Sequence, residues 1–298
     1  MREMLIDDNK NIRSENYYVK YFLSRDHIYH FTSTQTFINY IIERQRLRLT
    51  RITGGNDPEE SVPRHFKATF SNELVEQKRI LEVFHYQYIW NKYTEDINQK
   101  YFANARQLCF SKNIISVDNK VEHVPLQDYK HWAQYARNHD GVCLVINRNN
   151  FEEEFNRQFE NEALRMTADV LYEYNAMFPV SAVRENVYDL SLDELEDYSD
   201  AYDKEILLKK IIDNFSAYFF VKDICWKQEN EFRAVLLSSK NEDIYMDLKP
   251  FLDLVVVGLN VNDTDFQIIQ DNLKKYNPSA HLTRLLYEYG NIQPIQIY

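Results

Sequence analysis

Three charged residues set two apart, Glu229, Glu231 and Arg233, are the part of this sequence best suited to chemistry. If Glu229–Ser238 is a strand, all three share one face and Phe232 and Ala234 take the other. Two carboxylates held about 7 Å apart raise each other's proton affinity unless a cation intervenes. One can then oppose developing positive charge while its neighbour orients or deprotonates an attacking group. The alternative is structural, with Arg233 pairing Glu231 as an ordinary ion pair.

His30 and Thr32 share a face of an earlier strand, and Ser111 ends the run Cys109-Phe110-Ser111. The imidazole offers one donor and one acceptor, and the hydroxyls offer both; His30 can equally be a satisfied core residue. Asn56-Asp57-Pro58-Glu59 reads as a turn, with Pro58 barring Asp57 from helical geometry, or as the rim of a pocket. Arg44, Arg46 and Arg48 alternate outward, a solvated face or one suited to phosphates and nucleic acid. Trp132 and Tyr135, three apart on a helical face, are either core or a stacking surface for a planar ring. His139 suits a charge partner near a helix C-terminus.

Absences narrow the field. The chain has five glycines in 298 residues and neither Gly-x-Gly-x-x-Gly nor Gly-x-x-x-x-Gly-Lys-Ser/Thr, so the common phosphate cradles are missing. His-Glu-x-x-His and zinc-spaced Cys/His clusters are also missing, and no metal is expected. The net charge of −11 is uneven: 15 acidic and 3 basic residues lie between Glu152 and Asp203, which carries −12 and leaves +1 elsewhere. Three cysteines without Cys-x-x-Cys read as reduced thiols, and Met1–Asp8 lacks a signal peptide's apolar stretch; a cytoplasmic location is expected. The apolar run Leu254–Leu259 is far short of the ~20 residues a bilayer needs, so no membrane partner is expected.

The elements that must position these residues follow from periodicity. Residues 27–32 read as a strand, followed by a helix capped by Ser33 or Thr34 with Phe37, Ile38, Ile41 and Ile42 buried. Arg46–Arg51 alternates as a half-buried strand, and residues 72–100 are helical in pattern. Arg106–Ser111 is a strand. Residues 126–139 form a helix closed by Gly141 as its cap, and Val142–Ile146 is a buried strand. Asn149 caps the acidic helix beyond it, and a strand follows near Met166–Tyr172. The capping box at Ser191–Glu194 opens a helix running to about Ile224. Strands at Glu229–Ser238 and Leu254–Leu259, a helix over Asp263–Tyr276 and a strand near His281–Leu286 complete the chain. The mixture without strict βαβ alternation indicates α+β: one domain over 1–298, with a mostly helical, acidic insertion at 149–224.

Four segments, taken in order, resemble the domain-of-unknown-function 2971 family. They are Tyr29-His30-Phe31-Thr32-Ser33 continuing through Leu47-Arg48-Leu49 to Asn56-Asp57-Pro58-Glu59; Cys109-Phe110-Ser111; Trp132-x-x-Tyr135-Ala136-x-x-His139-x-Gly141-Val142-Cys143-Leu144; and Trp226-x-x-Glu229-x-Glu231-Phe232-Arg233, with Val255-Val256-Val257-Gly258 behind it. The opening strand–helix–strand is more distantly similar to the entry of ADP-ribosyltransferase-like folds of the DNA-modifying toxin type. That resemblance implies a mixed β-sheet core and NAD as substrate. It implies His30, Thr32 and Ser111 in the NAD pocket, Glu231 as catalytic carboxylate and Glu229 on the acceptor side. Asn56, Asp57, Trp132, Tyr135 and Arg233 would border the pocket. No Ser-Thr-Ser triplet follows Phe110, where the chain reads Ser111-Lys112-Asn113. The expected function is transfer from NAD to a macromolecular target, nucleic acid or protein, by a toxin or antiviral effector. The alternatives are a non-catalytic binding module of a defence or regulatory complex and, third, a nucleotide or nucleic-acid hydrolase.

Overall fold

The computed structural model describes residues 26–55, 67–69, 102–162, 164–173, 189–191, 219–238, 242–288 and 291–294, with single positions 95 and 99. Its strands are β1 (His27–Ser33), β2 (Arg46–Arg51), β3 (Lys67–Thr69), β4 (Ala105–Lys112), β5 (Ile114–Ile115), β6 (Val121–His123), β7 (Gly141–Asn147) and β8 (Leu164–Asp169). They continue as β9 (Leu171–Glu173), β10 (Asp189–Ser191), β11 (Val221–Asp223), β12 (Glu231–Leu237), β13 (Ile244–Asp247), β14 (Leu252–Val257), β15 (His281–Glu288) and β16 (Asn291–Pro294). The main helices are α1 (Tyr129–Tyr135), α2 (Arg148–Gln158) and α3 (Asp263–Tyr276).

A ten-stranded sheet runs β13-β2-β4-β1-β7-β14-β15-β16, and β12 joins it by pairing with both β4 and β8. Most pairs are antiparallel; β14 and β15 are parallel, and α3 lies between them in sequence. Core residues pack on both faces. Ile28, Leu108, Phe110, Leu144 and Phe232 belong to one cluster with Phe151 and Phe155 of α2, while Tyr29, Phe31, Cys143 and Val145 belong to another with Trp132. This is the α+β architecture that the strand and helix periodicities imply.

Several local expectations change. The helix after β1 winds as a π-helix, Phe37–Ile42, after one turn capped by Ser33; it still buries Phe37, Ile41 and Ile42. α1 is shorter than expected because Asp128 caps its start and Arg137, Asn138 and His139 all take left-handed backbone after it. Gly141 is therefore no helix cap. It begins β7, where a Cβ would meet the Thr32 carbonyl oxygen at 2.4 Å and the Ala136 Cβ at 2.7 Å. Asn147, not Asn149, caps α2, accepting from the Asn150 amide.

The acidic stretch contributes to the sheet through β8, as well as forming α2. Near Ile224, where a long helix was expected to end, the chain instead forms β11 and a 3-10 helix over Ile224–Glu229. The rest of that helix and nearly all of 72–100 lie outside the described residues. Cys109, Cys143 and Cys225 are free thiols. Among the described residues no helix is long and apolar enough to cross a membrane.

Candidate functional site

One edge of β4 pairs with β12 from Ala105 to Ser111. The other edge is divided: β2 takes Arg106 and Gln107, while β1 takes Ser111 and Lys112. Leu108, Cys109 and Phe110 lie between these pairings, where β1 and β2 diverge. The divergence opens a cavity of about 810 Å³, lined by His30, Thr32, Ser111, Tyr135, Glu229, Glu231 and Arg233 together with Arg44, Arg46, Arg48 and Lys222. Seven of the candidate site residues thus meet in one place.

In the gap, His30 Nδ1 lies 3.1 Å from the Cys109 carbonyl oxygen. A carbonyl only accepts, so Nδ1 carries the proton and Nε2 is left as an acceptor. Burial pushes the His30 pKa down, against the opposing pull of that hydrogen bond, so the ring is neutral near pH 7.

The carboxylates sit in a lattice of alternating charge. Arg233 donates through Nε and Nη2 to the two oxygens of Glu231, at 2.8 and 2.9 Å, and its Nη1 donates to the Phe219 carbonyl at 2.9 Å. Lys222 Nζ is 2.7 Å from Glu229 Oε2 and 3.5 Å from Glu231 Oε2, and lies 4.6 Å from the centre of the Trp226 ring. The Tyr135 hydroxyl donates to Glu229 Oε1. Burial alone would push the Glu231 carboxyl up; Arg233 and Lys222 outweigh it and hold the group below its ordinary value. The Tyr172 hydroxyl accepts from the Glu231 amide at 2.8 Å, and burial raises its pKa above the ordinary tyrosine range.

Glu229 reaches this cluster by a route other than the shared strand face expected of it. It ends the 3-10 helix, and Asn230 then turns left-handed (φ 42°) before β12 begins at Glu231. Lys222, absent from the sequence reading, bridges the two carboxylates from β11. Its only signal was a cation seven residues before Glu229, a spacing that shares a face in an α-helix, whereas here a short strand and a 3-10 helix bring the two together.

The segment rich in motif residues is also the one that matches a family. Residues 131–234 match the family described as Protein of unknown function (DUF2971). The resemblance read from the ordered segments is borne out over that stretch. No curated protein and no solved structure matches the chain. The DUF2971 match takes in Tyr135, Lys222, Glu229, Glu231 and Arg233, while His30, Thr32 and Ser111 precede it and join the same cavity through β1 and β4.

Two expected site residues fall outside the described residues, Asn56 and Asp57. Trp132 does not line the cavity: it is fully buried, donates from Nε1 to the Leu126 carbonyl at 2.9 Å, and stacks on His139 at 4.9 Å between ring centres. The same helix turns Tyr135 toward Glu229, so the two aromatics divide core and site between them. Among the described residues no group of three or more His, Cys, Asp or Glu is arranged to hold a metal.

Proposed function

We propose that the cavity takes NAD as a substrate and that the protein transfers the ADP-ribosyl group to a macromolecule, as an ADP-ribosyltransferase-like toxin or antiviral effector. The observation that carries this reading is the convergence of His30, Thr32, Ser111, Glu229 and Glu231 on one cavity of about 810 Å³, a volume within the usual range for small-molecule sites. Cation excess supports it: the lining holds Arg44, Arg46, Arg48, Lys222 and Arg233 against Glu229, Glu231 and Asp243, five to three, in a chain of net charge −11. Such a cavity draws an anionic ligand.

His30 Nε2 accepts from a ribose hydroxyl, and Thr32 and Ser111 add hydroxyls beside it. Breaking the glycosidic C–N bond sends the electron pair to neutral nicotinamide and leaves positive charge on the ribose carbon, which the Glu231 carboxylate opposes. An acceptor oxygen or nitrogen bonds to that carbon, and its proton passes to Glu229. Tyr135 and Lys222 hold Glu229 in place for this transfer.

A second reading draws on a specific feature, the full pairing of both carboxylates. A cluster of two acids and two bases, neutral in sum, also suits a module that binds a nucleotide without turning it over. Calorimetry with NAD, with and without chelator, followed by measurement of free nicotinamide, separates these cases. The enzymatic reading expects chelator-insensitive binding with nicotinamide release, the module expects binding alone, and absence of binding rejects both.

A further inference from the structure

The wall of the cavity opposite the carboxylates has its own chemistry. Arg46 and Arg48 alternate with buried Leu47 and Leu49 on β2, so their side chains share the open face, and Arg44 precedes them in the turn. Arg44 has no hydrogen-bond or ion-pair partner among the described residues. Arg48 has a loose 3.6 Å pair with Asp243, both side chains more than half exposed. The Arg46 guanidinium lies 3.9 Å from the centre of the Tyr245 ring, and its Nε is buried without a hydrogen bond. Gln107, only 3% exposed, lines the same cavity with Oε1 unsatisfied. Tyr40, on the π-helix, also lines it and is 60% exposed. Single π-turns recur at functional sites.

Unsatisfied buried polar groups are costly, and nearly all find partners in folded proteins. Here two of them, with two arginines bound loosely or not at all, border one cavity beside an exposed aromatic ring. We infer that the β2–β13 wall is a nucleoside-diphosphate subsite: Arg44, Arg46 and Arg48 take the two phosphates, Tyr40 stacks the base, and the Gln107 amide meets a polar edge of the nucleoside. Guanidinium groups suit phosphate because their forked donors match its oxygens. The inference deepens the NAD reading, on which it rests, by assigning the ADP half of that substrate to this wall and the reacting ribose to the carboxylate side.

The test is calorimetry of the whole chain with ADP, adenosine, inorganic pyrophosphate and nicotinamide mononucleotide, at low and high salt. ADP is expected to bind at least about tenfold more tightly than any of the other three, and to weaken with salt. Arg46→Gln and Gln107→Leu should each weaken ADP by about tenfold, with unchanged melting temperature as the check on folding. Lys249→Gln, the same loss of charge on an exposed residue outside the cavity, should leave ADP affinity unchanged. ADP binding no tighter than pyrophosphate or adenosine overturns the subsite, as does ADP binding indifferent to both cavity substitutions. The NAD reading fails separately: ADP bound as expected by a protein that releases no nicotinamide from NAD keeps the subsite and removes the transfer reaction.

Discussion

Arg233 engages both oxygens of Glu231 in a site where each side chain is at most 5% exposed, so neither can be changed without consequence for the other. Removing one member of a buried ion pair costs about 3–5 kcal/mol because the survivor is left uncompensated. Arg233→Met should therefore lower unfolding free energy by about that much in denaturant melts, and Glu231→Gln, which keeps an acceptor, by less. The Glu231 carboxyl is held below 4.5, its ordinary value. Its contribution to stability is complete above that pH and is lost as pH falls through the lower folded value. Glu231→Gln should accordingly make stability less steep with pH in this acid range. Stability alone thus cannot assign Glu231 to catalysis; turnover must. Lys222 gives a second test at this scale. Lys222→Met removes a cation from both carboxylates and should raise the Glu231 carboxyl, seen in carbon NMR titration of labelled glutamates, whereas Lys222→Arg should restore most of the shift. A carboxyl unmoved by Lys222→Met would show the bridge to be electrostatically idle.

The elements that position the site depend on two close approaches. A Cβ on Gly141 meets the Thr32 carbonyl oxygen at 2.4 Å, and one on Gly258 meets the His139 carbonyl oxygen at 2.3 Å, whereas nothing lies within 4 Å of one on Gly54. Gly141→Ala and Gly258→Ala should each cost about 1–3 kcal/mol or more from overpacking. Gly54→Ala should be neutral or stabilise by up to about 1 kcal/mol, through a less flexible unfolded chain. Thermal melts of the three variants decide it; a tolerated Gly141→Ala would mean that β1 and β7 can separate freely. Gly141 was visible in the sequence as special but for the wrong reason, since a lone glycine after a helix looks like a cap and the approach of β1 is a tertiary fact. Strands β7 and β14 were legible as short apolar runs buried almost throughout, and helix α3 because Phe266, Ile269 and Leu273 recur at helical spacing behind the cap Asn262. The strand expected over Glu229–Ser238 was legible as β12 from Glu231 on, but its start was not, because Asn230 turns left-handed where the alternating pattern runs on unbroken. β11 was hidden for a similar reason: three residues are too few to carry a period.

Across the whole molecule, charge and burial make distinct demands. The chain is acidic, yet its cavity lining carries two more cations than anions, so salt should weaken anionic ligands more than its net charge suggests. His30 and His139 are both held below 6.5 by burial, His30 against an opposing hydrogen bond. Their neutral forms support the fold fully above that pH, and the support is lost as pH falls through the lower folded values. Denaturant melts should therefore show falling stability from about pH 7 to pH 5, and His139→Phe should flatten the slope while keeping the stack on Trp132. An unchanged slope would place the acid sensitivity elsewhere. The convergence of His30, Ser111 and Glu231 was legible in outline as an order along the chain, while the cavity itself, made by β1 and β2 dividing one edge of β4, could come only from the sheet. The central claim is that this cavity breaks the glycosidic bond of NAD and transfers the remainder. The direct measurement incubates the protein and a cell extract with NAD labelled either in the adenine or in the nicotinamide ring, then counts label in the macromolecular fraction. The account predicts adenine label retained there, nicotinamide label released, and both signals lowered by orders of magnitude in Glu229→Gln and Glu231→Gln. Folded protein that binds NAD yet leaves both labels with the free nucleotide would contradict it.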